Sequence, residues 1–362
     1  MTILHITNGL SEGGVETLLY SFSKYLINKG HNVSILVLNG KAINLKEKFE
    51  KVGVHIIVGK YRPYNILNIY LIRKYISKYD IVHVHLFPGQ LFVAIANWTL
   101  GKRKRIITTE HNTWNHRRKY TVFRSLDRWF YRQYRYIIGI SEDTSAALRA
   151  WLNDEKIFDR ILTVNNGVEL CETPKVEIGT FGYTSQDFIL TMVARFNEQK
   201  SQETLIRALT ILPNNVCVIF VGTGETLESN KQLAKKLGVN DRVNFAGYRD
   251  DISSILRISH VGILCTNWEG FGLSIVEYML EGIPVIATNV IGVSQIVGWN
   301  SLLYEKGNFY ELANKIKKLM NDPSYYAQVS QYCLNRSKYF SIEKMSSEYL
   351  TIYSSIVKND VK

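Results

Sequence analysis

VGILCTNWEGFGLSIVE, residues 261–277, passes from an unbroken apolar run through a glycine turn into a helical pattern. A strand with no polar alternation is one covered on both faces, as in a parallel sheet. Gly270, Phe271, Gly272, Leu273 and Ser274 then open the helix. The first backbone N–H groups of a helix have no acceptor inside it and sit at the positive end of its dipole, so this turn suits a phosphate. Glu269 precedes the turn and Glu277 lies on the first helical turns, so two carboxylates can flank one ligand and accept from its hydroxyls. As an isolated pair they would read more simply as a turn residue and a solvated helix residue. Their neighbours change that reading.

Three other apolar runs end in the same kind of loop. After 188–194 come Arg195 and Lys200, two cations able to neutralise a diphosphate; after 216–221 come Gly222, Thr223 and Gly224; after 243–246 come Gly247, Tyr248 and Arg249. Ligands of open α/β sheets bind at such strand ends. Further runs at 3–7, 33–38, 55–58, 81–85, 105–109, 136–140, 162–164 and 284–288 alternate with helical patterns. The expected fold class is α/β, with two Rossmann-like doubly wound parallel-sheet domains. Residues 171–186 contain Pro174, Gly179 and Gly182 and show no period, which predicts a linker. Residues 1–170 form the N-terminal domain of this reading and 187–340 the C-terminal one. The closing helix, 341–362 with Ser341 as N-cap, packs back on the N-terminal domain.

The chain has 362 residues, 46% hydrophobic and 21% charged, as in a globular protein of two domains. No apolar run is long enough to span a bilayer and the start resembles no signal peptide. Cys171, Cys217, Cys265 and Cys333 show no metal-ligand spacing. A cytoplasmic location is expected. The net charge of +12 is carried entirely by the N-terminal half. It is densest from Lys102, Arg103, Lys104 and Arg105 to Arg135, and an anionic partner is expected there. Phe123, Leu126 and Phe130 repeat at helical spacing while Arg124, Arg128 and Arg132 trace another face. A basic amphipathic helix of this kind lies on anionic lipid, or else is a charged face over a core stripe.

Near the start, a strand runs into Asn8-Gly9-Leu10-Ser11-Glu12-Gly13-Gly14 and a helix. Gly14 is a candidate phosphate contact, and a tight turn needing positive φ is the competing reading. The loop is not GxGxxG, and no acidic residue ends the second strand as an NAD ribose requires.

Together these residues resemble the retaining glycosyltransferases of family 4. The resemblance rests on Gly13-Gly14, Glu110-His111, Ser141-Glu142, Asn165-Asn166-Gly167-Val168, Arg195 with Lys200, Gly222-Thr223-Gly224, Gly247-Tyr248 and the Glu269–Glu277 spacing. It implies the GT-B architecture, two Rossmann-like domains facing a cleft, and transfer from a nucleotide diphosphate sugar, a UDP-sugar in our reading. It implies that Arg195 and Lys200 stabilise the departing diphosphate, that Glu277 binds the ribose and that Glu269 and His111 contact the transferred sugar. Backbone amides of Gly14, Gly272, Leu273 and Ser274 hold the phosphates in this scheme, Gly247 and Tyr248 lie at the base, and Gly222 and Phe271 count among the donor-binding residues. The chain departs from the family at Ile291-Gly292-Val293-Ser294, where a Gly-Gly turn is usual.

With no Asp-x-Asp motif, neither metal nor cofactor is expected; Asp250-Asp251 stands where a helix N-cap belongs. The partners expected are the donor, a saccharide or polyprenyl-diphosphate-linked acceptor, and an anionic inner membrane face met peripherally, with no nucleic acid. A non-hydrolysing sugar-nucleotide epimerase shares the architecture but needs no acceptor. A non-catalytic nucleotide- or nucleic-acid-binding module would leave the two cations and two glutamates without a purpose.

Overall fold

Apolar runs that are buried from end to end, such as Ile81–His85 and Val216–Val221, become inner strands of two parallel sheets. The computed structural model describes residues 1–11, 13–101, 106–170 and 173–359. They divide into two units, Met1–Gly167 with Ser341–Lys362, and Val168–Phe340. Lys102 to Arg105, Glu12 and Cys171 lie outside the described residues.

The first unit runs β1 (Thr2–Thr7), α1 (Gly14–Asn28), β2 (Asn32–Val37), α2 (Lys46–Lys51), β3 (His55–Val58), α3 (Asn68–Ile76) and β4 (Ile81–His85). It continues through α4 (Gly89–Thr99), β5 (Ile106–Glu110), α5 (Val122–Tyr131), β6 (Tyr136–Gly139), α6 (Glu142–Leu152) and β7 (Ile161–Thr163). The strand order is β3-β2-β1-β4-β5-β6-β7, all parallel, so the order reverses between β1 and β4. The last helix, Ile342–Asn359, belongs to this unit: its Met345, Tyr349 and Tyr353 share a core with Phe22 of α1 and Ile35 of β2. Ser341 opens it, its Oγ accepting from Lys344 N at 3.2 Å.

The second unit runs β8 (Phe188–Val193), α7 (Gln202–Leu209), β9 (Val216–Val221), α8 (Leu227–Lys236), β10 (Val243–Phe245), α9 (Ile252–Arg257), β11 (Val261–Leu264), α10 (Leu273–Leu280) and β12 (Val285–Thr288). Then come α11 (Ser294–Val297), β13 (Leu303–Tyr304), α12 (Phe309–Asn321) and α13 (Pro323–Ser337); the closing helix of the first unit is α14. The order β10-β9-β8-β11-β12-β13 reverses between β8 and β11. The two-residue β13 is too short to leave a pattern, and the sequence reading lacks it. Cys217, Cys265 and Cys333 are buried free thiols, pushed up by burial to about 11, 12 and 12.

The linker expected at 171–186 is corrected: its described part, 173–186, is folded into the second unit. Phe181 and Tyr183 are buried in the core with Ile189 and Ile219, and Tyr183 OH donates to Val218 O at 3.1 Å. Lack of period marks irregular backbone, not exposure. Replacing Phe181 with Ala should cost about 3 kcal/mol of the second unit's stability, read as a lowered urea midpoint; a linker residue would leave it unmoved.

Candidate active site

The reversal between β8 and β11 brings the loops that follow these two strands side by side. They are stapled together. Asn267 N and Thr266 Oγ1 donate to Gln199 O, Asn267 Nδ2 to Glu198 O, and Gln199 Nε2 to Trp268 O, all within 3.1 Å. Lys200 pairs in an isolated bridge with Thr266, which sets its ammonium against the Glu269 carboxylate in an ion pair whose side chains are each 14% exposed. Glu269 Oε1 also accepts from Gly270 N. The Arg195 side chain is exposed on the same strand end, its carbonyl held by Gln202 Nε2 at 2.9 Å.

Gly272, in the left-handed region at φ 82°, turns the chain into α10, and no side chain caps that helix. The N-terminal amides of Leu273 and Ser274 therefore lie one turn from the Lys200–Glu269 pair. Glu277, on the second turn of α10, is pushed up by burial to about 7. Lys200, Glu269 and the α10 N-terminus are thus brought together, with Arg195 on the adjoining strand end.

Other expected residues stand differently. Phe271 is a core residue, 2% exposed, with its ring 5.6 Å from Phe340, so only its backbone faces the turn. Gly222 donates its N–H to Gly247 O, and a Cβ on it would meet Ala194 O at 2.1 Å. It is glycine because backbones touch there, and its amide is not free for a phosphate. Tyr248 is exposed beside Gly247. The Asp251 carboxylate takes both arms of Arg249 and makes no cap bond to α9. Gly292 escaped the sequence reading as a site residue: a Cβ there would meet Glu269 O at 2.3 Å, so it seats the glutamate's backbone.

In the first unit, a cavity of about 480 Å³ opens at the ends of β4 and β5. Glu110, His111, Asn112, Asn115, Arg117 and Phe123 are among its walls. Glu110 is paired with Arg118 at 2.8 Å and accepts from Gln90. Arg117 lies over the Phe87 ring at 3.7 Å and faces Asp127. Gly14 begins the uncapped α1, and Gly13 is extended at φ 178°, so no positive φ explains that pair of glycines.

The basic face expected on α5 is corrected. Arg128 donates to Leu152 O and Asn153 O, satisfying the C-terminal carbonyls of α6. Arg124 stacks on Trp151 at 5.0 Å, and Arg132 binds Asp154 at 2.8 Å, holding that carboxyl below its usual range. Phe130 is core, but Val122, Phe123 and Leu126 stand out in water. Arg124 and Arg128 turn back onto the protein, Arg132 is half exposed, and Val122, Phe123 and Leu126 face solvent.

Two family models cover most of the chain: residues 180–336 match that of the glycosyl transferases group 1, and residues 12–171 that of Glycosyltransferase Family 4. The N-acetyl-alpha-D-glucosaminyl L-malate synthase of Bacillus anthracis is 26% identical over 97% of this chain and 96% of its own. A UDP-Gal:alpha-D-GlcNAc-diphosphoundecaprenol alpha-1,3-galactosyltransferase of Escherichia coli is 26% identical over 78% of this chain and 77% of its own. The fold matches Anabaena Alr3699/HepE, solved in complex with UDP and glucose, with a TM-score of 0.83 at 20% identity, over 98% of this chain and all of the other. The chain belongs to the group 1 and family 4 glycosyltransferases and is an enzyme of GT-B architecture.

Proposed function

We propose that this glycosyltransferase moves a hexosyl group from a UDP-sugar to a saccharide on a polyprenyl diphosphate, with retention and without a metal ion. The observation that carries the reading is the ion pair of Lys200 and Glu269 beside the uncapped start of α10. A cation, a second cation on Arg195 and free helix amides make a seat for a diphosphate, and the two glutamates grip sugar and ribose hydroxyls. The relatives named for UDP-galactose transfer and for glucosaminyl transfer support the donor class, and the diphosphoundecaprenol substrate of one supports the acceptor class.

In the reaction, the acceptor hydroxyl attacks the anomeric carbon on the face the diphosphate leaves. The bond from that carbon to the diphosphate oxygen breaks with its electron pair staying on the oxygen, which takes the acceptor's proton. Arg195, Lys200 and the amides of Leu273 and Ser274 hold the charge that develops there, so no divalent ion is required. Glu269, fixed by Lys200 and by Gly270 N, keeps a defined position for a sugar hydroxyl.

The saccharide of the acceptor occupies the cavity walled by Glu110, His111, Asn112 and Asn115. Tyr64 and Phe123 line it too, and Tyr120, Val122 and Leu126 are exposed nearby on the chain at α5. An apolar rim suits the lipid part of the acceptor and a peripheral seat on the cytoplasmic face of the membrane. No helix of the described residues is long and apolar enough to cross a membrane.

Arg195→Ala and Lys200→Ala should each lower kcat by about 10²–10³-fold, with the product linkage retained; an inverted linkage overturns the mechanism. Joint replacement of Val122 and Leu126 by Glu should raise KM for the lipid-linked acceptor about tenfold, sparing a short water-soluble acceptor. If both acceptors suffer alike, the rim is not a lipid surface.

Glu277 gives a pH test. Its unfolded value is 4.5 and its folded value about 7, so its stabilising protonation is complete below the first and is lost as pH rises through the second. Glu277→Gln stays neutral. Thermal unfolding should find it equal to the parent at pH 4 and more stable at pH 8, while calorimetry at pH 8 finds weaker UDP binding.

A further inference from the structure

Four imidazoles are buried inside the first unit: His5 on β1, His83 and His85 on β4, and His111 just past β5. The alternation His83-Val84-His85 puts two of them on one face of the sheet, and the register sets His5 opposite His83. His5 Nδ1 lies 3.1 Å from His85 Nε2, and His85 Nδ1 lies 3.2 Å from His111 Nε2. Three rings therefore form one chain that ends at His111, a wall of the 480 Å³ cavity.

His83 stands beside this chain. Its Nδ1 is 2.7 Å from Tyr353 OH and its Nε2 2.7 Å from Thr109 Oγ1, which itself meets Tyr349 OH. Nitrogens of His5, His83 and His85 lie within 4.8 Å of one another. Yet His83 has both nitrogens engaged by hydroxyls, and its ring lies over that of His85 at 4.1 Å. An ion held there would have to take a nitrogen of His83 from one of its hydroxyls. The cluster is a hydrogen-bonded relay.

Burial keeps the relay neutral: His5 is pushed down to about 3, His111 to about 4, and His83 and His85 well below their ordinary value. A neutral imidazole has one N–H and one lone pair. Because both nitrogens of His85 are bonded, the three N–H groups all point one way. In one direction His5 Nδ1–H donates to His85, His85 Nδ1–H donates to His111, and His111 carries its own hydrogen on Nδ1. In the other, the run ends in an N–H on His5 Nε2, a buried atom with no partner among the described residues. A buried orphan N–H is the rarer and costlier end, and a lone pair there is the better tolerated.

We propose that His5 and His85 are positioning residues that fix His111 as its Nδ1–H tautomer, so that it presents a hydrogen-bond donor, and no base, to a hydroxyl oxygen of the bound sugar. The sugar contact rests on the function proposed above; the tautomer does not. The experiment is long-range ¹H–¹⁵N correlation of the full chain with ¹⁵N-labelled histidine, His111 being assigned by its loss in His111→Gln. The expected spectrum shows His111 protonated at Nδ1 and unprotonated at Nε2, unchanged from pH 8 to pH 5.5. An Nε2–H tautomer, or an imidazolium in that range, overturns the proposal. His85→Leu should move His111 toward mixed tautomers and lower kcat about tenfold, with KM for the UDP-sugar within about twofold. Retention of the parent tautomer in His85→Leu refutes the positioning role. Since the spectrum of the parent chain needs no substrate, failure to bind UDP would sink the function without touching the tautomer.

Discussion

An ammonium and a carboxylate, Lys200 and Glu269, hold each other at the point where the strand order of the second sheet reverses. Two half-buried ions so placed do not gain much stability for the fold, because desolvation offsets their attraction. What the pair secures is geometry. The backbone staples between 198–199 and 266–268 bring the two loops to the same height, and the ion pair then sets the glutamate's side chain. Gly292 closes under the same glutamate, where any side chain would collide with its carbonyl. Remove either ion and the other is left half-buried without its partner, so each replacement disturbs both seats.

The first unit meets the same need for order by other means. Its sheet buries four imidazoles, and polar groups inside a core must find partners. The partners for His83 and Thr109 come from the far end of the chain, as the hydroxyls of Tyr353 and Tyr349 on α14. This explains why the last helix returns to the first unit with a face rich in tyrosine and not leucine. The hydroxyls leave His83 fully satisfied, which separates it from the His5–His85–His111 run and lets that run keep a single polarity.

The strands were legible because a parallel sheet covered on both faces writes itself as apolar runs; 55–58, 81–85 and 216–221 fall where expected. The glycine turn before α10 was legible for the same local reason. What depends on distant partners was not. Phe271 looked like part of the turn and proved to be core because Phe340 lies across it. Gly222 looked like a donor contact, and its amide is taken by Gly247. The histidines hid within two strands: ILHIT and IVHVH read as apolar runs, and only the register shows that the rings meet.

The arginines of α5 show how a charge counted in the sequence can be engaged inside the fold. A guanidinium bonded to the carbonyls that end α6, or laid on Trp151, still carries its full charge, so the excess of +12 survives as a field. Such a field reaches beyond contact distance, over roughly a Debye length of 8 Å at physiological salt. What stands outermost there is apolar, Val122 at 76% exposure and Tyr120 at 56%. On the membrane seat proposed above, attraction and docking are divided between two sets of side chains on one short helix and the turn before it. Salt should weaken the first and leave the second.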